Sequence, residues 1–262
     1  MDLQLTGKRA LVTGSSSGIG AGIAHVLARE GASVVVHGRN AERTQRVADE
    51  IKNAGGKSVV ALGDLGRDED AAHVVKTATD ALGGIDILIN NAAAFPMSDW
   101  KSASAEQWVK LYNQNVGSLV RLIVPLVLPM REQGWGRIIN IATTGAIIVP
   151  PFVPDYAASK GAVLTLTVSL SKELAKTGIT VNAVSPGPIE TEGVDTMMQT
   201  MGAPDKDAAR QQFRETWQPV LAVNRLGQPD DVAHAVAFLS SPLADFITGA
   251  NLRVDGGHVG TT

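Results

Sequence analysis

The sequence predicts a doubly wound α/β fold, a single domain built on a seven-stranded parallel sheet with helices on both faces. Three observations carry this expectation. Short β-branched runs alternate with longer amphipathic segments along the whole chain. The runs are continuously apolar, the pattern of strands buried on both faces. The segments between them are long enough for the right-handed helical crossovers that join parallel strands. A chain of 262 residues can bury a large core, and residues 1–262 contain no linker, low-complexity tract or short-period repeat.

Taken in order, Arg9–Thr13 reads as the first strand, followed by a glycine-rich turn and a helix over Ile19–Glu30 that Gly31 stops. Ser33–His37 is the second strand, with a charged helix over Ala41–Ala54 ending at Gly55-Gly56. Ser58–Leu62 is the third, with a helix over Asp68–Leu82 closed by Gly83-Gly84. Asp86–Asn90 is the fourth, and a long helical pattern covers Ala105–Gln133 up to Gly134. Arg137–Ala142 is the fifth, with a helix over Asp155–Thr177 stopped by Gly178. Ile179–Val184 is the sixth. Asn251–Val254 is the seventh, after a helix over Pro229–Leu239. The one long irregular region, residues 187–228, reads as an insertion outside the sheet that acts as a substrate lid.

Composition excludes several classes. With 23 Lys+Arg against 26 Asp+Glu, the net charge of −3 offers no electrostatic footprint for nucleic acid or an anionic membrane. The chain has no cysteine, so disulfides, thiolate catalysis and Cys-based metal sites are out. His25, His37, His73, His234 and His258 show no ligand spacing and read as surface or satisfied core histidines, so no catalytic metal is expected. The most apolar stretch, Leu122–Met130, is too short to span a bilayer and is interrupted by Pro125 and Pro129. The N-terminal stretch lacks the apolar run of a signal peptide. The expectation is a soluble cytoplasmic protein.

The first chemical signal is the turn Thr13-Gly14-Ser15-Ser16-Ser17-Gly18-Ile19-Gly20. Gly14 permits a tight turn, Gly18 lets the backbone approach a diphosphate, and Gly20 lets the helix pack close to the sheet. The free N–H groups and positive end of that helix then face the anion. The spacing is G-x3-G-x-G instead of the commoner G-x-G-x-x-G. A loop that merely needs glycine is the alternative, but the strand–turn–helix context favours a dinucleotide. NAD sites place a carboxylate at the end of the second strand, where this chain has His37-Gly38-Arg39-Asn40. Without an acid to repel a 2′-phosphate, and with Arg39 as a cationic fork, NADP is expected over NAD. The alternative for Arg39 is a solvated side chain capping a turn.

The second signal is Tyr156-Ala157-Ala158-Ser159-Lys160, whose phenol and ammonium share a helical face. A nearby cation favours the phenolate and brings a phenol of ordinary pKa near 10 towards working range. The pair means little alone. Its place just beyond a strand end, where open parallel sheets bind ligands, gives it weight.

With these motifs the chain resembles the classical short-chain dehydrogenase/reductase family over almost its whole length. The likeness includes Thr13–Gly20, Asp64, Asn90-Asn91-Ala92-Ala93, Asn115-Val116-Gly117, Tyr156–Lys160, the stretch Ser185-Pro186-Gly187-Pro188-Ile189-Glu190-Thr191, Thr248-Gly249, and Val254-Asp255-Gly256-Gly257. Two departures stand out. Ala93 occupies a position where the family has glycine. Thr143 stands thirteen residues before the tyrosine, where the family has serine. Threonine keeps the hydroxyl but stiffens χ1. Thr144 is the fallback donor.

The resemblance implies a Rossmann fold and hydride transfer between a nicotinamide and a carbonyl or alcohol carbon. It implies that Tyr156 is the proton donor, Thr143 orients the oxygen, Lys160 tunes Tyr156 and holds the nicotinamide ribose, and Asn115 kinks the long helix and serves a proton relay. Gly14, Ser15, Ser16, Gly18, Ile19 and Gly20 would cradle the phosphates and adenosine. Arg39 and Asn40 would flank the 2′-position, and Asp64 and Leu65 would meet the adenine. Asn91, Ala92 and Ala93 would line the path to the ribose, and Pro186, Gly187, Ile189 and Thr191 would embrace the nicotinamide end. Phe95, Ile147, Val149, Phe152, Val153, Pro188, Met197, Met198 and Trp217 fall in or near substrate reach and imply a neutral, rather apolar ketone or alcohol. A homotetramer is expected through the two long helices and the last strand, with Leu164, Leu166 and Val168 compatible with such packing.

Two alternatives stand beside an NADP(H)-dependent ketoreductase. One is a 3-oxoacyl-[acyl-carrier-protein] reductase, weakened because only Lys176 is basic in the stretches before the fifth and sixth strands. The other is a cofactor-binding sensor with impaired catalysis, which only Thr143 invites.

Overall fold

The computed structural model describes residues 1–260; residues 261 and 262 of the predicted domain lie outside the described residues. The strands are β1 (Arg9–Val12), β2 (Ser33–Gly38), β3 (Lys57–Leu62), β4 (Ile87–Asn90), β5 (Gly136–Ile141), β6 (Ile179–Pro186) and β7 (Asn251–Val254). They form one sheet in the order β3-β2-β1-β4-β5-β6-β7. Every pairing is parallel.

The apolar runs work because each residue of a central strand has a hydrophobic layer to enter. Ala10 and Val12 of β1, Val34 and Val36 of β2, and Ile87 and Ile89 of β4 point into one core. Leu11, Val35 and Leu88, one residue out of phase, point into the other. This is the two-residue period of a strand with both faces covered. The first core is closed by α1 (Gly18–Arg29), α2 (Ala41–Asn53) and α10 (Pro229–Ser240). The second is closed by α3 (Asp68–Leu82), α5 (Ser118–Glu132) and α7 (Pro154–Glu173).

The long pattern predicted over 105–133 is not one helix. It divides into α4 (Ala105–Tyr112), a π-helical turn over Asn113–Gly117, and α5. Pro125 and Pro129 lie inside α5. Each removes a main-chain donor, and the helix holds because Leu119, Leu122, Ile123, Leu126 and Met130 repeat at helical spacing and bury against the sheet. The segment 187–228 also differs from expectation. It contains α8 (Glu192–Thr200) and α9 (Lys206–Trp217), folded around a small core of their own that includes Met198, Ala209, Phe213 and Leu226. Its mixture of Met, Gln and charged residues gives a weak periodic signal, so the sequence reads as irregular. The remaining short helix, α6 (Gly145–Ile148), follows β5. Among the described residues, no helix is long and apolar enough to cross a membrane.

Candidate active site

The strand order reverses between β1 and β4, and the crevice beyond their carboxyl ends is where such sheets bind ligands. The glycine loop lies there. Gly14 adopts φ +62° and Gly18 φ +56°, conformations that favour glycine. Gly20 serves a closer approach than the sequence implies. A Cβ there would stand 2.3 Å from Gly14 O and 2.5 Å from Asn91 Nδ2, so its hydrogen lets the first turn of α1 meet the loop itself rather than the sheet.

Asn91 ties this loop to β4. Its Nδ2 donates to Thr13 O at 2.9 Å and Gly14 O at 3.1 Å, and its N–H donates to Thr13 Oγ1 at 2.9 Å. His37 holds the other side. Its Nδ1 accepts the Gly14 N–H at 3.0 Å, and its Nε2 lies 3.2 Å from Gly63 O. An acceptor on one ring nitrogen and a carbonyl opposite the other require the neutral ring with its proton on Nε2. Burial agrees, pushing His37 down to about 4. His37 is thus the satisfied core histidine expected, yet it also braces the loop.

Ser15 is fully buried, and its hydroxyl donates to Val12 O and accepts from the His37 N–H. That hydroxyl joins two strand ends and is turned away from the groove. Ser16, by contrast, lines a cavity of about 310 Å3 together with Gly14, Arg39, Asp64, Leu65 and Asn91–Ala93. Gly38 has no space for a side chain: a Cβ would lie 2.4 Å from Thr44 Oγ1 and 2.9 Å from Ser16 Cβ. Asn40 caps α2 by accepting from the Arg43 N–H. It stands beside Arg39 but spends its carbonyl on the helix.

Beyond the carboxyl end of β5, Tyr156, Lys160 and Thr143 come together. Lys160 Nζ donates to Ile141 O at 2.7 Å and lies 5.9 Å from the centre of the Tyr156 ring. Burial lowers Lys160 to about 8. The half-buried Tyr156 is densely surrounded by protein, and desolvation pushes its phenol up to about 12, with a hydrogen bond to Thr143 acting downwards. The lowering expected from the ammonium does not appear: burial sets the direction, and the one downward effect comes from Thr143. The phenol therefore keeps its proton at neutral pH. Phe95 packs edge-on against Tyr156 with ring centres 4.4 Å apart.

The two threonines separate clearly. Thr143 Oγ1 accepts from the Gly145 N–H at 3.1 Å and remains partly accessible. Thr144 is buried, its hydroxyl donating to Pro186 O at 3.2 Å. Asn115 sits fully buried in the π-helical turn, where an extra residue turns its side chain inwards. Its Oδ1 accepts from the Ala94 N–H at 2.8 Å, and its Nδ2 donates to Ala94 O and to Ser159 Oγ, beside Lys160. Ile189 forms a parallel bridge with Gly227. The bridge bonds run from Gly227 N to Pro188 O and from Glu190 N to Gly227 O, leaving the N–H and C=O of Ile189 directed away from it. Thr191 caps α8 and presents its Cβ and Cγ2 towards Gly18. Gly187 fits against Asp255, whose Cα would be 2.8 Å from an added Cβ.

Beyond α6 lies a second cavity, of about 490 Å3. Ile147 and Trp217 line it, joined by Ile148, Thr216, Val220, His258 and Val259. Other predicted pocket residues are elsewhere. Met198 is buried in the core of the insertion and Met197 packs against it. Val153 is buried at the start of α7, while Val149 and Phe152 are exposed. Thr216 and His258 had no local signal, because only the folded chain brings the C-terminal turn against α9.

A family model described as enoyl-(acyl carrier protein) reductase matches residues 14–259. An uncharacterized oxidoreductase of Bacillus subtilis (strain 168), YvaG, is 38% identical over 264 residues, covering 99% of this chain and 98% of that protein. The 3-oxoacyl-[acyl-carrier-protein] reductase FabG of Vibrio cholerae is 36% identical over 255 residues, covering 97% and 98%. The L-sorbose reductase of Gluconobacter frateurii, solved with NADPH and L-sorbose, has a TM-score of 0.94 at 31% identity and covers 100% of both chains. Fold and comparisons together define an oxidoreductase of the Rossmann type. The chain belongs to the short-chain dehydrogenase/reductase family, which binds a nicotinamide cofactor and acts on alcohol and keto groups.

Proposed function

We propose that this chain is an NADP(H)-dependent ketoreductase/alcohol dehydrogenase acting on a neutral, rather apolar substrate. The observation that carries the reading is the convergence of Tyr156, Thr143 and Lys160 beyond the carboxyl end of β5, linked through Asn115 to Ala94, which lines the groove of the glycine loop. The groove residues suit a dinucleotide: Gly14 and Ser16 of the loop line it at one side, with Arg39 and Asp64 beside them. When bound, the cofactor supplies or accepts hydride at its nicotinamide ring. Tyr156, protonated at neutral pH, donates its proton to the substrate oxygen in reduction. Thr143 hydrogen-bonds the same oxygen and stabilises the charge developing on it. Lys160, held by Ile141 O, orients the ribose and re-protonates the phenol through the side of the site that Asn115 organises.

Arg39 and the lack of an acid at position 38 support NADP over NAD. The similarity to FabG supports 3-oxoacyl-[acyl-carrier-protein] reduction as a second reading. The segment 187–228, folded on its own small core beside the substrate cavity, supports its role as a lid. Exposed Val109, Val120, Val124 and Leu128 on α4 and α5, and Val168 on α7, support a homotetramer. Leu164 and Leu166 instead pack against the sheet core.

The test is NADPH oxidation over a panel of ketones that includes a 3-oxoacyl thioester, with Tyr156→Phe beside the wild type. Turnover should fall by about 100-fold or more in the variant, with NADPH affinity within a few-fold. Turnover that persists in the variant overturns the proton-donor assignment. NADPH binding without turnover of any carbonyl would instead favour a sensor.

A further inference from the structure

One wall of the glycine-loop groove is held by side chains that the proposed reaction does not use. It is the connection 63–67 between β3 and α3, of which Gly63, Asp64, Leu65 and Gly66 line the groove. With glycine at both 63 and 66, this stretch has little intrinsic stiffness. Its main chain is instead engaged by side chains from outside it. Gly63 O accepts from His37 Nε2 at 3.2 Å, and the Asp64 N–H donates to Asp70 of α3 at 3.0 Å. From the π-helical turn, Asn113 Nδ2 donates to Gly66 O at 2.9 Å, and from α5 Arg121 Nη1 reaches Leu65 O at 3.5 Å.

Arg121 joins these contacts. Its Nη2 donates to Asn113 Oδ1 at 2.8 Å, and its Nε donates to Asp68, the first residue of α3. A planar fork of N–H donors can serve acceptors on three sides at once, which an ammonium on a flexible stem does not do in fixed geometry. Gly117 leaves the space for it: a Cβ there would stand 2.9 Å from Arg121 Nη1 and 3.0 Å from Asn113 Oδ1. The turn that carries Asn113 is itself anchored, because Asn115 is bonded to Ala94 and Ser159.

We propose that Arg121 is a positioning residue for the cofactor: together with Asn113 it holds the connection 63–67 in the shape that receives the adenosine end of NADPH. The inference rests on the NADP(H) reading of the groove and adds to it two residues that do not line the groove. A loop ordered only on binding subtracts that ordering cost from the affinity, whereas a loop already held does not. Asn115 keeps its own bonds when Arg121 is changed, so the loss falls on affinity and not on the chemical step.

The test titrates the protein with adenosine 2′,5′-bisphosphate by calorimetry and with NADPH by fluorescence. In Arg121→Met both ligands should bind about tenfold more weakly, while kcat for a ketone at saturating NADPH stays within about twofold of the wild type. Arg131→Met is the control. It removes another arginine of α5, one that pairs with Glu173 at 2.7 Å, and should leave both affinities within about twofold. Gly117→Ala pushes the guanidinium aside without removing it and should weaken the bisphosphate by about threefold or more. It serves in place of Arg121→Met if that variant does not fold. Wild-type affinity for the bisphosphate in the variant, an equal loss in Arg131→Met, or a kcat that falls with the affinity overturns the inference and leaves the NADP(H) reading in place. A wild type that binds neither NADPH nor the bisphosphate overturns both.

Discussion

Replacing Gly20 by alanine adds one methyl group where the loop, α1 and Asn91 meet. That methyl would lie 2.3 Å from Gly14 O, 2.5 Å from Asn91 Nδ2 and 2.9 Å from Gly14 C. Two of these atoms are backbone and cannot rotate aside. The third can move only by giving up its bonds to Thr13 O and Gly14 O. Overpacking of this kind costs about 1–3 kcal/mol, and the lost hydrogen bonds add about 1 kcal/mol each. Gly20→Ala should therefore destabilise the protein by about 2–5 kcal/mol. Because the first turn of α1 must move back from the loop, its N–H groups retreat from a bound diphosphate, and NADPH should bind at least about tenfold more weakly. Gly193→Ala is the matched control. Its methyl meets only Thr191 Oγ1, at 3.7 Å, in the exposed first turn of α8, so stability should stay level or rise by up to about 1 kcal/mol. Denaturant unfolding and fluorescence titration with NADPH read both effects. A Gly20→Ala protein with wild-type unfolding midpoint and NADPH affinity would refute the close approach of loop and helix.

Three other substitutions probe the rest of the groove. Thr143→Ala should lower kcat by about 100-fold while Thr143→Ser keeps most of it, and equal activity of the two would move the second donor elsewhere. Arg39→Asp should reverse the NADPH/NADH ratio of kcat/KM, and an unchanged ratio would remove Arg39 from the 2′-position. The third concerns pH. Folding lowers Lys160 from 10.5 to about 8, so between these values the unfolded chain binds more protons than the folded one. Stability gains from this group as pH rises from about 8 to 10.5, by about 3 kcal/mol in full. Lys160→Met should abolish that rise in denaturant unfolding measured across this range, and an unchanged slope would mean that the ammonium is not desolvated.

Much of the fold was legible because its signals are local. Most strands carry a β-branched run, and several crossover helices end at a glycine, as Gly31 and Gly83 show. The glycine loop was legible for the same reason: strand, turn and helix are contiguous. Tyr156 and Lys160 were legible as neighbours, because one helical turn separates them. The breaks in the long helix were not, since the π-helical turn depends on Asn115 finding Ala94 and Ser159 across the structure.

The linear chain by itself determined the layer architecture, the strand boundaries to within a residue or two, and the residue types available for proton transfer and anion binding. These follow from periodicity and backbone chemistry that act over a few residues. Tertiary structure decided which hydroxyl is free, because Thr143 and Thr144 are adjacent in sequence and only Pro186 O distinguishes them. It decided that Ser15 serves the strand ends, and that burial raises the Tyr156 phenol. It also decided that His258 stands edge-on against Trp217. Hydrogen-bond commitment and desolvation are properties of the space around an atom, and that space is assembled from distant parts of the chain.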